Sequence, residues 1–189
     1  MDTLDLPPRL FVVDLEATCD DQGSIPRPEC EIIEIGGVVV DTETLEPIDE
    51  FSSFVKPLRH PKLTKFCTEL TSITQEDVEN APPFPVVIDR LGRFVANHRP
   101  FLFCSWGDYD KNQLGRDARH HRVTIPLGDA HLNLKKKFAE TIGDPKRYGM
   151  AEALQKVGLP LEGTYHRGID DARNMVRMLP WILGRRSLR

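Results

Sequence analysis

The chain has no excess of basic residues, few cysteines and no long apolar run, and each shortage excludes something. Lys and Arg total 25 against 29 Asp and Glu, a formal net charge of −4. Proteins that hold polyanions are usually basic, so the total charge taken alone argues against such a partner. No apolar stretch approaches the ~20 residues that span a bilayer, and no membrane partner is expected. Met1-Asp2-Thr3-Leu4-Asp5 is acidic and lacks the basic start and apolar stretch of a secretory signal. The four cysteines, Cys19, Cys30, Cys67 and Cys104, include no CxxC pair, which argues against a structural zinc site. They read as reduced thiols, and the expected location is cytoplasmic. There is no internal repeat and no low-complexity tract.

What is present suffices for one domain over residues 1–189. Hydrophobic residues make up 40% and charged residues 29% of the 189, enough for a packed core. The charge is unevenly spread. Residues 1–98 hold 8 Lys/Arg and 19 Asp/Glu, a net −11, whereas residues 99–189 hold 17 and 10, a net +7. Leu10–Val13 is a short continuous apolar run, as in a strand buried on both faces. Ile32–Val40 and Phe51–Val55 read as further strands, with Thr42-Glu43-Thr44 as a hairpin loop between them. Phe101–Cys104 is another short buried strand.

Helical periodicity takes over between the later strands. Val87, Leu91, Phe94 and Val95 share one face. A second helix starts near Asp108, which suits a cap position, and turns Asp110, Leu114 and Ala118 inward. Leu132–Ile142 and Ala151–Val157 follow. The last helix runs from Gly168 and should kink or end at Pro180. Early strands followed by alternating helices predict an α/β fold, a mixed sheet whose first three strands are antiparallel, flanked by helices.

Four acidic side chains sit where a core-facing acid needs a reason. Asp14 ends the buried run and Glu16 follows two positions on, so both point to one face. Two adjacent carboxylates either end a strand in solvent or hold a hard divalent cation such as Mg²⁺ or Mn²⁺. In the last helix, Asp170 shares a polar, water-facing stripe with Asn174 and Arg177, whereas Asp171 shares one with Met175, Met178 and Ile182. His166 lies five residues before Asp171 in a loop, within reach of the same cleft and able to take up a proton near neutral pH. Asp110 lies at a strand-to-helix junction, where α/β sites gather.

These residues resemble the three motifs of DEDD-type, DnaQ-like 3′→5′ exonucleases of the histidine-containing subgroup: Asp14-x-Glu16, Tyr109-Asp110 and His166-x-x-x-x-Asp171. Phe11–Cys19, Glu31–Gly36, Phe66-Cys67, Leu70-Thr71-x-Ile73-Thr74, Ser105–Asp110 and Gly168–Asp171 are similar to the Eri-type branch, the histone-mRNA and RNA-interference exonucleases with their bacterial relatives. The resemblance covers about residues 9–183. It implies a ribonuclease-H-like, five-stranded mixed sheet.

It also implies hydrolysis of single-stranded nucleic acid from a free 3′ end to nucleoside 5′-monophosphates, RNA before DNA. Two divalent ions, Mg²⁺ or Mn²⁺, would be held by Asp14, Glu16, Asp110 and Asp171, with His166 as general base. Those four carboxylates carry −4 between them, which two such ions would neutralise. By the same resemblance backbone groups around Leu15, Ala17 and Thr18 meet the terminal sugar. Leu70, Thr71 and Ile73 wedge against terminal bases, and Phe66 and Trp106 either stack on a base or belong to the core. Lys111, Arg116, Arg119, Arg122 and Arg167 are candidates for phosphate contacts, while Lys135-Lys136-Lys137 reads as a solvated helix face. Other enzymes of the same fold are rivals: an oligoribonuclease, a tRNA-trimming enzyme or a proofreading subunit. Another is a regulatory or inhibitory binding protein that acts on a partner through this fold.

Overall fold

The apolar run Leu10–Val13 belongs to strand β1 (Arg9–Ala17), the middle strand of a five-stranded sheet covered on both faces, which explains its continuity. The computed structural model describes residues 5–188; Met1–Leu4, which hold most of the acidic amino terminus, and Arg189 lie outside them. Strand β1 pairs antiparallel with β2 (Ile32–Asp41), and β2 antiparallel with β3 (Pro47–Phe54). On its other side β1 pairs parallel with β4 (Phe101–Ser105), and β4 parallel with β5 (His131–Asn133), in the order β3-β2-β1-β4-β5. The expected mixed sheet is therefore present.

Seven α-helices lie among the described residues: α1 (Lys65–Thr71), α2 (Gln75–Glu79), α3 (Phe84–Ala96), α4 (Tyr109–His121), α5 (Leu134–Ile142), α6 (Met150–Lys156) and α7 (Gly168–Ile182). Alternation along β1 sends Leu10 and Val12 to one face, against Phe138, Leu154, Met175 and Leu179 of α5 to α7. It sends Phe11 and Val13 to the other, against Val87, Leu91 and Val95 of α3 and Leu114 of α4. One contact sets the position of α7. A Cβ on Gly36 would lie 2.1 Å from the main chain of Gly168 and Ile169, and one on Gly168 would lie 3.1 Å from the Asp14 carbonyl. Only paired glycines let the first turn of α7 rest on β1 and β2.

Several expectations need correction. Leu132 and Asn133 belong to β5, not to a helix; a three-residue strand shows no periodicity, and Asn133 starts α5 by accepting the Lys136 N–H at 2.9 Å. The third strand runs Pro47–Phe54 rather than Phe51–Val55. Helix α7 passes Pro180 and ends at Ile182, because a proline in the last turn removes a single donor. Asn174 does not face water. It is fully buried, accepts the Glu162 N–H at 3.1 Å and donates to the Glu162 carbonyl at 2.8 Å. Helices α1 and α2 have no counterpart among the sequence expectations.

Candidate active site

A cleft of about 360 Å³ opens at the carboxyl-terminal end of β1. Asp14, Glu16, Asp110, His166 and Asp171 all line it. Each arrives from a different constraint. Asp14 and Glu16 are two apart on β1 and so share a face. Asp110 sits in the first turn of α4, just past the end of β4, and is 4% exposed. Asp171 is in the first turn of α7, also 4% exposed, carried in by the Gly36–Gly168 contact.

His166 has a left-handed backbone, φ 60°, in the loop before α7. Its main-chain N–H donates to Asp171 Oδ2 at 3.1 Å, so loop and helix are tied together. Its Nδ1 lies 3.9 Å from Glu16 Oε1, and the ring packs on Tyr165 with centroids 4.0 Å apart.

The donor atoms of Glu16, His166 and Asp171 fall within 4.8 Å of one another and could hold a metal ion. Asp171 Oδ1 supports this directly: it is buried and takes no hydrogen bond within the protein. Asp14 and Asp110 share the cleft but lie outside that tight group.

The carboxyl groups strain one another electrostatically. Burial, then the nearby Asp171 and Glu34, push Glu16 up to about 8. Burial pushes Asp171 to about 7, against the bond from His166. It pushes Asp110 to about 7, only partly offset by hydrogen bonding around Ser105 and Leu15. Asp14 is raised well above the usual carboxylate range by burial and then by Asp110, Glu16 and Asp171. Burial lowers His166, which favours the neutral imidazole. Such a cluster suits divalent cations, which remove the repulsion and supply the missing partner of Asp171.

The other expected contacts divide. Leu15, Ala17, Leu70 and Trp106 line the cleft, although the Trp106 indole N–H is held by the Tyr148 carbonyl at 3.2 Å. Thr18 does not face it: its N–H donates to the Glu31 carbonyl and its hydroxyl accepts the Glu31 N–H, at 2.8 and 2.9 Å. Thr71 and Ile73 are fully buried, Ile73 among Ile33, Leu63, Cys67 and Val78, so neither can wedge against a base. Phe66 is half-buried on α1 and does not line the cleft. Lys111 reaches the Asp129 carbonyl at 3.3 Å.

Arg167 is not free for phosphate. Its guanidinium grips buried Glu34 at 3.1 and 3.2 Å, and the same carboxylate accepts the Gly168 N–H at 2.9 Å. Glu34 is a residue that sequence reasoning misses, although an acid inside the apolar run Ile32–Gly37 is an available signal. Asp108 sits at the cap position of α4 yet makes no side-chain cap bond; its Oδ1 lies 3.9 Å from His131 Nδ1.

Comparison with known proteins agrees with this arrangement. The family model described as an exonuclease, RNase_T, matches residues 11–179. The chain is 31% identical over 186 residues to "ERI1 exoribonuclease 3" of Mus musculus, covering 92% of this chain and 54% of that one. It therefore spans about half the length of such curated relatives. A solved structure of the nuclease domain of 3′hExo, a DEDDh family member bound to rAMP, is 29% identical with a TM-score of 0.84, over 96% of this chain and 95% of that one. A structure describing recognition of the histone mRNA stem-loop by 3′-exonuclease is 27% identical with a TM-score of 0.87, over 94% of this chain and 64% of that one. The fold is thus the ribonuclease-H-like fold of these exonucleases.

Proposed function

The chain belongs to the RNase_T exonuclease family, and on that premise we propose that residues 1–189 form one metal-dependent exonuclease domain that removes nucleoside 5′-monophosphates from the 3′ end of single-stranded RNA. The observation that carries the reading is the convergence of Glu16, His166 and Asp171 on one point, with Asp171 Oδ1 buried and unpartnered. The relatives are named as exoribonucleases, which favours RNA over DNA.

Asp14, Glu16, Asp110 and Asp171 would hold two Mg²⁺ or Mn²⁺ ions. When bound, these supply charge neutralisation at the scissile phosphate and an acidified water. His166, kept neutral by burial, accepts the proton of the attacking water at its imidazole nitrogen. The water oxygen bonds to phosphorus, the bond to the preceding 3′ oxygen breaks, that oxygen takes a proton from solvent, and the shortened strand leaves with a free 3′ hydroxyl. Leu15, Ala17 and Leu70, which line the cleft, take the terminal nucleoside. The Asp171 carboxylate is oriented by the His166 N–H, so the base and an ion ligand keep a fixed relation.

Digestion of 5′-labelled single- and double-stranded RNA and DNA with Mg²⁺ or Mn²⁺ tests the reading. Stepwise shortening with release of 5′-monophosphates is expected, and Asp14→Ala and His166→Ala should abolish it. Wild-type protein that leaves every oligomer intact would overturn it. Calorimetry should show divalent-ion binding that Asp171→Ala weakens; unchanged binding would overturn the ligand assignment.

A further inference from the structure

Beside the catalytic cleft lies a second pocket of about 180 Å³, lined by Gly107, Asp108, Asn133, Lys135, Lys136 and Arg147. Lys135 lines both cavities, and Trp106, in the cleft, precedes Gly107, in the pocket, so the two are adjacent. Three cations face one carboxylate here. Lys135 and Arg147 form no salt bridge among the described residues, and exposed Lys136 pairs only with exposed Glu140 at 3.8 Å, an interaction worth little. The remaining acid, Asp108, lies near His131.

The surroundings make this charge significant. Four carboxylates line the catalytic cleft, and Lys135 is its one Lys or Arg among the described residues. Arg167, in the loop that carries His166, is already matched by Glu34. Lys111 and Arg116 on α4 likewise form no salt bridge among the described residues, but Lys111 donates to the Asp129 carbonyl and Arg116 to Gln113, so this pocket is where unmatched cations are grouped in a cavity, on the face that reads in sequence as merely solvated. The pocket also opens at the amino-terminal end of α5, whose partial charge has the same sign.

We propose that this pocket is a backbone-phosphate subsite. It holds a phosphate of the same nucleic-acid strand beyond the one being cleaved, with Lys135 linking it to the cleft. The proposal rests on the exonuclease reading and adds to it a dependence on substrate length. A mononucleotide ester reaches only the cleft. An oligonucleotide reaches both.

The test compares wild-type protein with the Lys136→Gln/Arg147→Gln double variant. Substrates are thymidine 5′-monophosphate p-nitrophenyl ester and oligouridylates of two to ten nucleotides. In the wild type, kcat/KM should rise with length. In the double variant, the ratio of ten-mer to ester kcat/KM should fall about tenfold, through KM, as expected when backbone phosphates have no cation to meet. The log–log salt dependence for the ten-mer should become shallower by about 1.4, at roughly 0.7 for each single-strand phosphate left without its cation. Arg147→Lys, which keeps the charge, should retain most of the effect of length. An active double variant with unchanged length dependence and salt slope would overturn the subsite alone. A wild type that cleaves neither ester nor oligomer would overturn the exonuclease reading, and the subsite with it.

Discussion

Replacing Glu16 with glutamine should stabilise the metal-free protein at alkaline pH while abolishing its activity. The carboxyl group of Glu16 is raised from an ordinary value of 4.5 to about 8, first by burial and then by the charges of Asp171 and Glu34. In the unfolded chain it ionises near 4.5; in the folded chain it holds its proton until about pH 8. Between those values the unfolded state releases a proton that the folded state keeps, so stability falls as pH rises, by about 1.4 kcal/mol per pH unit. Across the whole window the ceiling is about 5 kcal/mol. Asp171 and Asp110, both raised to about 7, titrate in the same range and share the burden, so one substitution relieves only part of it, about 2 kcal/mol.

The assay is urea unfolding in chelator at pH 5 and pH 8.5, repeated with Mg²⁺ or Mn²⁺. At pH 5 the two proteins should differ by under about 1 kcal/mol, since little of the window has been crossed. At pH 8.5 Glu16→Gln should be the more stable in chelator, and divalent ions should reverse the order by stabilising the wild type through its ligand set. A variant less stable than wild type at pH 8.5 without metal, or one stabilised equally by added ions, would refute the argument that these carboxylates are held together at a cost that cations remove.

Gly36→Ala should destabilise the fold by about 3 kcal/mol in urea unfolding, because the new Cβ meets main-chain atoms of α7 at 2.1 Å and cannot move them alone. Gly92→Ala, inside α3, where a new Cβ would meet the Pro126 side chain at an ordinary 3.6 Å, should instead stabilise by up to about 1 kcal/mol. Glu34→Gln should cost about 3 kcal/mol and lower kcat more than it changes KM, since it strips the charged partner from Arg167 beside His166; an unaltered kcat would show that the pair does not position the loop. Asp108→Ala should change stability by less than about 0.5 kcal/mol, whereas removal of a true cap would cost about 1 kcal/mol.

The parts of the molecule that are legible in sequence are those where one local pattern decides the outcome. Leu10–Val13 needs two apolar faces wherever it lies, and β1 provides them. Asp14 and Glu16 share a face because a strand alternates, and Asp171 turns inward because its helical stripe is methionine and isoleucine. Residues decided by distant partners mislead. Arg167 looks like an available cation until β2 brings Glu34 within 3.1 Å, 133 positions away in the chain. Thr18 looks like a cleft residue until Glu31 takes both its N–H and its hydroxyl. Asn174 looks solvent-facing until the loop at Glu162 closes over it. Lys135 shows the converse. A triplet of lysines on an amphipathic helix is ordinary surface, and nothing local separates the first from the other two. Only the tertiary placement of α5 beside β4 makes Lys135 border the catalytic cleft. From the basic carboxyl-terminal half, Lys135 thus comes to share a cleft with four carboxylates that repel a polyanion until cations fill the site, a placement that composition alone could not locate.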